Sequence, residues 1–172
     1  MPRQAYPPRS TPAAFDAART AGGWHILGVV GSSGGMPHPP PEAEAALSAL
    51  LREASEAHGE RLWVVSGATD VGVPGLTHRL CRAAGIQTAG LTAAQGLEYS
   101  LAPLDMLIVV GERFGDESDD LLALCDALII LGGGPQAERE ARGALEVGIP
   151  VTAVTGFGGA ADAIASIATR RW

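Results

Sequence analysis

Short unbroken runs of Val, Ile and Leu alternate along the chain with longer stretches whose apolar residues recur at helical spacing. Runs of the first kind at Trp24–Val30, Leu62–Val65, Met106–Val110, Ala127–Leu131 and Pro150–Thr155 predict strands covered on both faces, as in a parallel sheet. Gln87–Thr92 reads as a further, less apolar strand. The helical pattern predicts helices over Glu42–His58, Pro74–Ala84, Ser118–Cys125, Gln136–Val147 and Ala160–Arg170. Pro41 suits the start of the first of these, and Gly85 and Gly148 suit the ends of two others. Met36–Pro41 holds too many prolines for anything but a loop, and Ala93–Leu104 reads as a loop or short helix. Strands alternating with helices imply right-handed crossovers, hence a single α/β domain: a three-layer sandwich with a mostly parallel sheet of about six strands. Residues 24–172 form this domain. Residues 1–23 carry prolines and scattered charge without a sustained period and predict an irregular leader, in which Ala13–Thr20 could form a short helix.

Composition removes several function classes. A net charge of −7 argues against nucleic-acid binding, which rests on a basic surface that neutralises phosphates. The sequence contains no lysine, which excludes both a P-loop and a pyridoxal-phosphate Schiff base. Cys81 and Cys125 each fall among apolar residues of a helix and read as buried free thiols, consistent with a reducing cytoplasm. Neither shares a metal-ligand spacing with the histidines, and no metal or cofactor is expected. The N-terminus lacks the apolar core of a signal peptide, and no apolar run approaches the roughly 20 residues that span a bilayer. A cytoplasmic protein with no membrane partner is the expectation.

Ligands of parallel sheets bind beyond the strand carboxyl ends, and there the glycines of this chain collect. Gly31, Gly111 and Gly132 each follow a strand directly, and Gly67 follows one after Ser66. Gly31-Ser32-Ser33-Gly34 offers small residues, hydroxyls and backbone N–H groups suited to a phosphate or ribose. Gly67 to Gly75 spaces three glycines across a strand-to-helix turn, with Thr69 and Asp70 at its mouth; Asp70 could also simply cap the helix. Gly132, Gly133 and Gly134 lead from a strand into a helix whose free N–H groups favour an anion. A helix N-terminus enriched in acids accounts for Asp116, Glu117, Asp119 and Asp120 better than a metal cluster does. His78 reads as a surface or packing residue.

Two of these motifs resemble the LOG family, cytokinin-activating nucleotide phosphoribohydrolases within the Rossmann-like SLOG superfamily, which also holds DprA and the molybdenum-cofactor carrier protein. Gly67, Gly72 and Gly75 fall on three glycines of the family's first motif, G-G-G-x-x-G-x-M-G. Gly133, Gly134 and Glu140 fall on its second, P-G-G-x-G-T-x-x-E, with Gly132 for its Pro, Gln136 for its third Gly and Ala137 for its Thr. Together the strand-end loops and the two motifs give as candidate ligand and phosphate contacts Gly31, Ser32, Ser33, Gly34, Gly67, Thr69, Asp70, Gly72, Gly111, Gly132, Gly133, Gly134 and Gln136. The resemblance implies Glu140 and Arg113 as a catalytic pair, Arg113 lying in a Glu-Arg segment like the family's E-R-K. As an acid near a helix start, Glu140 is expected to remain ionised. Ala137 lacks the hydroxyl of the family's Thr, and this tilts the reading toward a nucleotide-binding sensor or carrier. The alternative is a hydrolase that cleaves the N-glycosidic bond of nucleoside monophosphates. The resemblance further implies a homodimer or larger oligomer.

Overall fold

The structure, a computed structural model, describes residues 6–168. Among them run β1 (Arg9–Ser10), α1 (Pro12–Gly22), β2 (His25–Gly31), α2 (Pro41–His58), β3 (Leu62–Ser66), α3 (Gly72–Ala84) and β4 (Gln87–Thr92). They are followed by β5 (Met106–Val109), α4 (Ser118–Leu124), β6 (Ala127–Leu131), α5 (Pro135–Glu146), β7 (Val151–Val154) and α6 (Gly159–Ile164). The strands form one sheet in the order β1-β5-β4-β3-β2-β6-β7, and every pair is parallel. All five residues of β3 and of β6 are buried, as expected of strands covered on both sides.

The order of the strands locates the switch point. From β2 the chain builds β3, β4 and β5 in one direction, and α4 then carries it back to β6 on the other side of β2. β2 and β6 end level, with Gly31 opposite Leu131, so the loops after these two strands leave the sheet side by side. Helices on both faces divide the interior. One face packs Phe15, Leu121, Leu124, Ala141, Ala144 and Ile164 against the sheet; the other packs Leu47, Leu51, Val73, Leu76 and Cys81. In α2 the buried residues Ala43, Leu47, Leu51 and Ala54 recur at the spacing of one helical face. Both cysteines are free and buried, and burial pushes the Cys81 thiol up to about 12.

The leader departs from expectation. Of the leader only residues 1–5 lie outside the described residues, as do residues 169–172, which take in the end of the helix predicted over Ala160–Arg170; the described part of that helix stops at Ile164. Arg9–Ser10 is a seventh, edge strand on β5, too short to carry any periodic signal. The helix α1 is longer than the short one suggested for Ala13–Thr20. Thr11 accepts the Ala14 N–H at 3.1 Å, Pro12 occupies the first turn, and Gly23 closes the helix in the left-handed conformation. Only Phe15 of α1 is buried, and it holds the helix through an edge-on contact with Trp63 and a tilted one with Trp24, at 5.6 and 5.7 Å. A helix anchored by one aromatic residue has too little amphipathic pattern for its full length to be read from sequence. Tertiary packing supplies the difference.

Candidate functional site

A cavity of about 760 Å³ opens at the carboxyl ends of the strands, in the crevice beside β2. Its first wall is the β2 loop, Gly31 to Gly34. A second is the β3 loop, Ser66 to Val71, closed by Pro74 of α3; the third is the start of α5, Gly134 to Ala137, together with Glu140. Val29 and Val30 of β2, Leu91 and Thr92 of β4, Tyr99 and Ser100 beyond it, and Phe114, Glu117 and Leu121 complete the lining.

Hydrogen bonds between loops set these walls in place. The Asp70 N–H donates to the Ser100 carbonyl at 2.8 Å and the Ala102 N–H to the Ala68 carbonyl at 2.8 Å, which lays the β4–β5 connection along the β3 loop. The Ala94 and Gln95 N–H groups reach the Gly111 and Glu112 carbonyls, both at 3.0 Å, and the Phe114 N–H reaches Gln95 Oε1 at 3.1 Å. Phe114 is thereby brought against Tyr99, with ring centroids 6.0 Å apart. Both rings are partly exposed at the rim, 43% and 54% respectively. Behind the β3 loop His78 is fully buried, its Nε2 2.8 Å from the Gly67 carbonyl. A carbonyl only accepts, so the proton is on Nε2 and Nδ1 is left buried without a partner. Burial lowers the His78 pKa, so the ring is a neutral packing residue that fixes the loop.

The wall made by α4 and α5 holds two carboxyl groups. Glu117 and Glu140 are both buried, and the Gln136 amide bridges them, donating from Nε2 to Glu117 Oε1 at 3.2 Å and to Glu140 Oε1 at 3.1 Å. The Ser118 hydroxyl donates to Glu140 Oε1 at 2.7 Å, and Glu117 Oε2 accepts the Gly115 N–H at 3.0 Å. Burial raises the Glu140 pKa, and the charge of Glu117 adds to this, against the lowering from Ser118 and Gln136. The position of Glu140 removes the reason for expecting an easily ionised carboxyl, the nearby helix start. The residue lies in the second turn of α5, beyond the reach of the helix end, where desolvation is the larger effect.

Of the residues singled out in the sequence, Gly31, Ser32, Ser33, Gly34, Gly67, Thr69, Asp70, Gly134, Gln136 and Glu140 meet around this cavity. Five others do not border it. Arg113 is exposed on the loop before α4, because Asp116 Oδ2 accepts the Glu112 and Arg113 N–H groups, at 2.9 and 3.0 Å, and turns that loop outward. Gly111 belongs to the same exposed turn. Gly132 and Gly133 give their carbonyls to the Ala161 and Ala160 N–H groups at 3.0 and 2.9 Å and so receive α6. Gly72, at φ +60°, is pressed against the backbone of Ser32 and Ser33, where a Cβ has no room. Asp70 pairs with Arg79 instead of capping α3, whose cap position is Val71. Sequence reasoning placed Glu117 with its acidic neighbours on a solvated helix start; Asp119 and Asp120 are there, but Glu117 turns inward. Ser118 and the Tyr99–Phe114 pair carried no signal in sequence, since a loop's hydrogen bonds create their positions. Among the described residues no group of three or more His, Cys, Asp or Glu could hold a metal ion, and no helix is long and apolar enough to cross a membrane.

Residues 25–171 match the family model described as "SLOG in TRPM, prokaryote", which accounts for most of the chain. The chain belongs to the SLOG family. A comparison with curated proteins gives no match. Among solved structures the SLOG domain is similar to TM1055, a structural-genomics target, with 28% identity over 83% of this chain and 81% of that one and a TM-score of 0.67. It shares its fold with the molybdenum cofactor carrier protein of Chlamydomonas reinhardtii, at 19% identity, 74% of each chain and a TM-score of 0.60. The molybdenum cofactor binding protein of Rippkaea orientalis is alike at 20% identity, 74% of each chain and a TM-score of 0.59.

Proposed function

We propose that this SLOG protein binds a nucleotide or nucleotide-derived ligand in the crevice beside β2, as a sensor or carrier. One observation carries the reading: backbone donors from both sides of the switch point border the same cavity. The N–H groups of Ser33 and Gly34 on the β2 loop, and of Gln136 and Ala137 at the start of α5, have no protein acceptor among the described residues. Backbone N–H groups in a loop and at a helix N-terminus suit a phosphate or another acceptor-rich group without a lysine. Pro135 in the first turn has no N–H to offer and presets the helical φ of α5. The fold is that of a protein described as a molybdenum cofactor carrier and of one described as a molybdenum cofactor binding protein, which supports a binding or carrier role for the same crevice.

Glu140 favours a second reading. A buried carboxyl with a raised pKa, on the cavity wall, is the type of group that protonates a leaving base in N-glycosidic hydrolysis. Arg113 stands outside the cavity, and Glu140 Oε1 is already engaged by Ser118 and Gln136, so binding without turnover is preferred. Titration calorimetry with nucleoside monophosphates, alongside chromatography for released base, separates the two. Heat of binding with intact nucleotide is expected. Base release that disappears in Glu140→Gln would establish the hydrolase instead, and no binding by any nucleotide at millimolar concentration would end both readings.

A further inference from the structure

The cavity wall opposite the open loops is unusual in its charge. Asp70, Glu117 and Glu140 are the charged residues of the lining, and no Arg or His borders the cavity. Asp70 has Arg79 as its partner, but Glu117 and Glu140 face each other's neighbourhood with only neutral donors between them: the Gln136 amide, the Ser118 hydroxyl and the Gly115 N–H. Buried carboxyl groups without a cation need hydrogen-bond donors, so a ligand should turn donors to these two carboxyl groups and keep its acceptors for the backbone N–H groups of the β2 loop and the α5 start. The rim beside Glu117 is aromatic. Phe114, three residues before it, and Tyr99 present two tilted, half-exposed rings to which a planar group can stack.

A planar ring held by Phe114 and Tyr99 would turn its edge to Glu117. An edge that suits a carboxylate has two adjacent donors; Glu117 Oε1 and Oε2 each accept one bond, from Gln136 and Gly115, and each keeps a further lone pair for such an edge. Adenine has an amino group beside a ring acceptor, and hypoxanthine has a ring N–H without the amino group. Guanine and the pterins share the matching chemistry, a 2-amino-4-oxopyrimidine edge with an exocyclic amine beside a ring N–H. We propose that Glu117 is the specificity-determining residue of this cavity and that it selects a ligand with a 2-amino-4-oxopyrimidine edge. Glu140 and Gln136 act as positioning residues that hold the Glu117 carboxylate in place. The assignment rests on the binding reading above and names the ligand class of the same site.

The test is titration calorimetry of the full chain with GMP, IMP and AMP, and with a pterin that has no phosphate. GMP and IMP differ only in the 2-amino group, so their ratio reads the proposed contact alone. A site that hydrogen-bonds that group should prefer GMP over IMP by about tenfold to a hundredfold, with AMP weaker than GMP. Glu117→Gln should bring the GMP to IMP ratio close to one, while binding of IMP changes much less. Should that variant fail to fold, the wild-type ratio still decides. Equal affinity for GMP, IMP and AMP overturns the proposal and leaves nucleotide binding intact. Binding of the pterin with GMP silent supports the edge and identifies a pterin as its source. No heat with any of the four overturns the proposal together with the binding reading.

Discussion

Two glycine-rich loops leave the sheet side by side, one after β2 and one after β6, and they do different work. Gly132 and Gly133 look in sequence like the more obvious anion site, yet their carbonyls are given to α6 and neither borders the cavity. Gly133 lies at φ +103°, and an added Cβ would come within 2.7 Å of the Ala137 Cβ. Gly34, on the plainer Gly-Ser-Ser-Gly loop, borders the cavity, and an added Cβ there would meet nothing within 4 Å. Glycine thus marks tight packing in one loop and open approach in the other. Composition alone does not tell them apart; what tells them apart is the neighbour, here a helix that arrives from the far end of the chain.

The largest effect expected from this contrast is on stability. Gly133→Ala forces an unfavourable φ and a contact with α5, and should cost about 3 kcal/mol. For a chain of this length that lowers the melting temperature by about 6–12 °C, readable by calorimetry. Gly34→Ala should leave stability within about 0.5 kcal/mol. It should instead weaken the nucleotide that the wild type binds by about tenfold, roughly 1.4 kcal/mol, because the methyl stands where an acceptor group approaches the backbone. Equal melting points for the two variants would erase the distinction between the loops.

The fold was legible because most of its strands are unbroken apolar runs, and each of the six expected from sequence is present within a residue or two. The family resemblance was legible too, from Gly67, Gly72, Gly75, Gly133, Gly134 and Glu140. The edge strand β1 was not, since two residues carry no period, and of helix α1 only the stretch Ala13–Thr20 was suggested, since a single buried Phe15 holds it. At the site, sequence spacing brought Ser32, Thr69, Gln136 and Glu140 to one cavity. It missed Glu117 and Ser118 because the turn that aims them is held by Asp116 and Gly115, whose hydrogen bonds leave no periodic trace. The same turn carries Arg113 outward. A residue on a regular element inherits its direction from the period, whereas a loop residue does not.

A second contrast lies in the two titratable groups near the cavity whose charged forms burial disfavours, and it gives opposite pH dependences. Glu140 has a raised pKa, so its contribution to stability is complete below the ordinary Glu value and is lost as pH rises through its own. His78 has a lowered pKa, so the folded state loses stability as pH falls below the ordinary histidine value of about 6.5. Glu140→Gln keeps an acceptor for Ser118 and removes the buried charge. It should therefore gain of order 1 kcal/mol relative to wild type at pH 8 and nothing at pH 4. Replacement of His78 by Gln should flatten the acid side of the profile instead, with a small uniform loss from the poorer fit against Gly67. Denaturant midpoints across pH 4 to 8 read both, and a Glu140→Gln difference that does not change with pH would show that burial is not what governs this carboxyl.

The smallest effect concerns the carboxyl that does have a cationic partner. The Asp70 and Arg79 side chains are 38% and 50% exposed, so water screens their attraction and the pair is held at a cost in side-chain freedom. Arg79→Ala should cost no more than about 0.5 kcal/mol, and that loss should shrink as salt is added. Its effect on the ligand should be the informative part. Without Arg79, Asp70 becomes a third unpaired acid at the cavity mouth, so a phosphate-bearing ligand should bind somewhat more weakly at low salt and nearly normally at high salt. The same substitution should leave a pterin without phosphate unaffected. If Arg79→Ala instead weakened both ligands alike and independently of salt, the pair would be holding the β3 loop in shape, and the mouth of the cavity would owe its geometry to this bond as well as to the Asp70 N–H on Ser100.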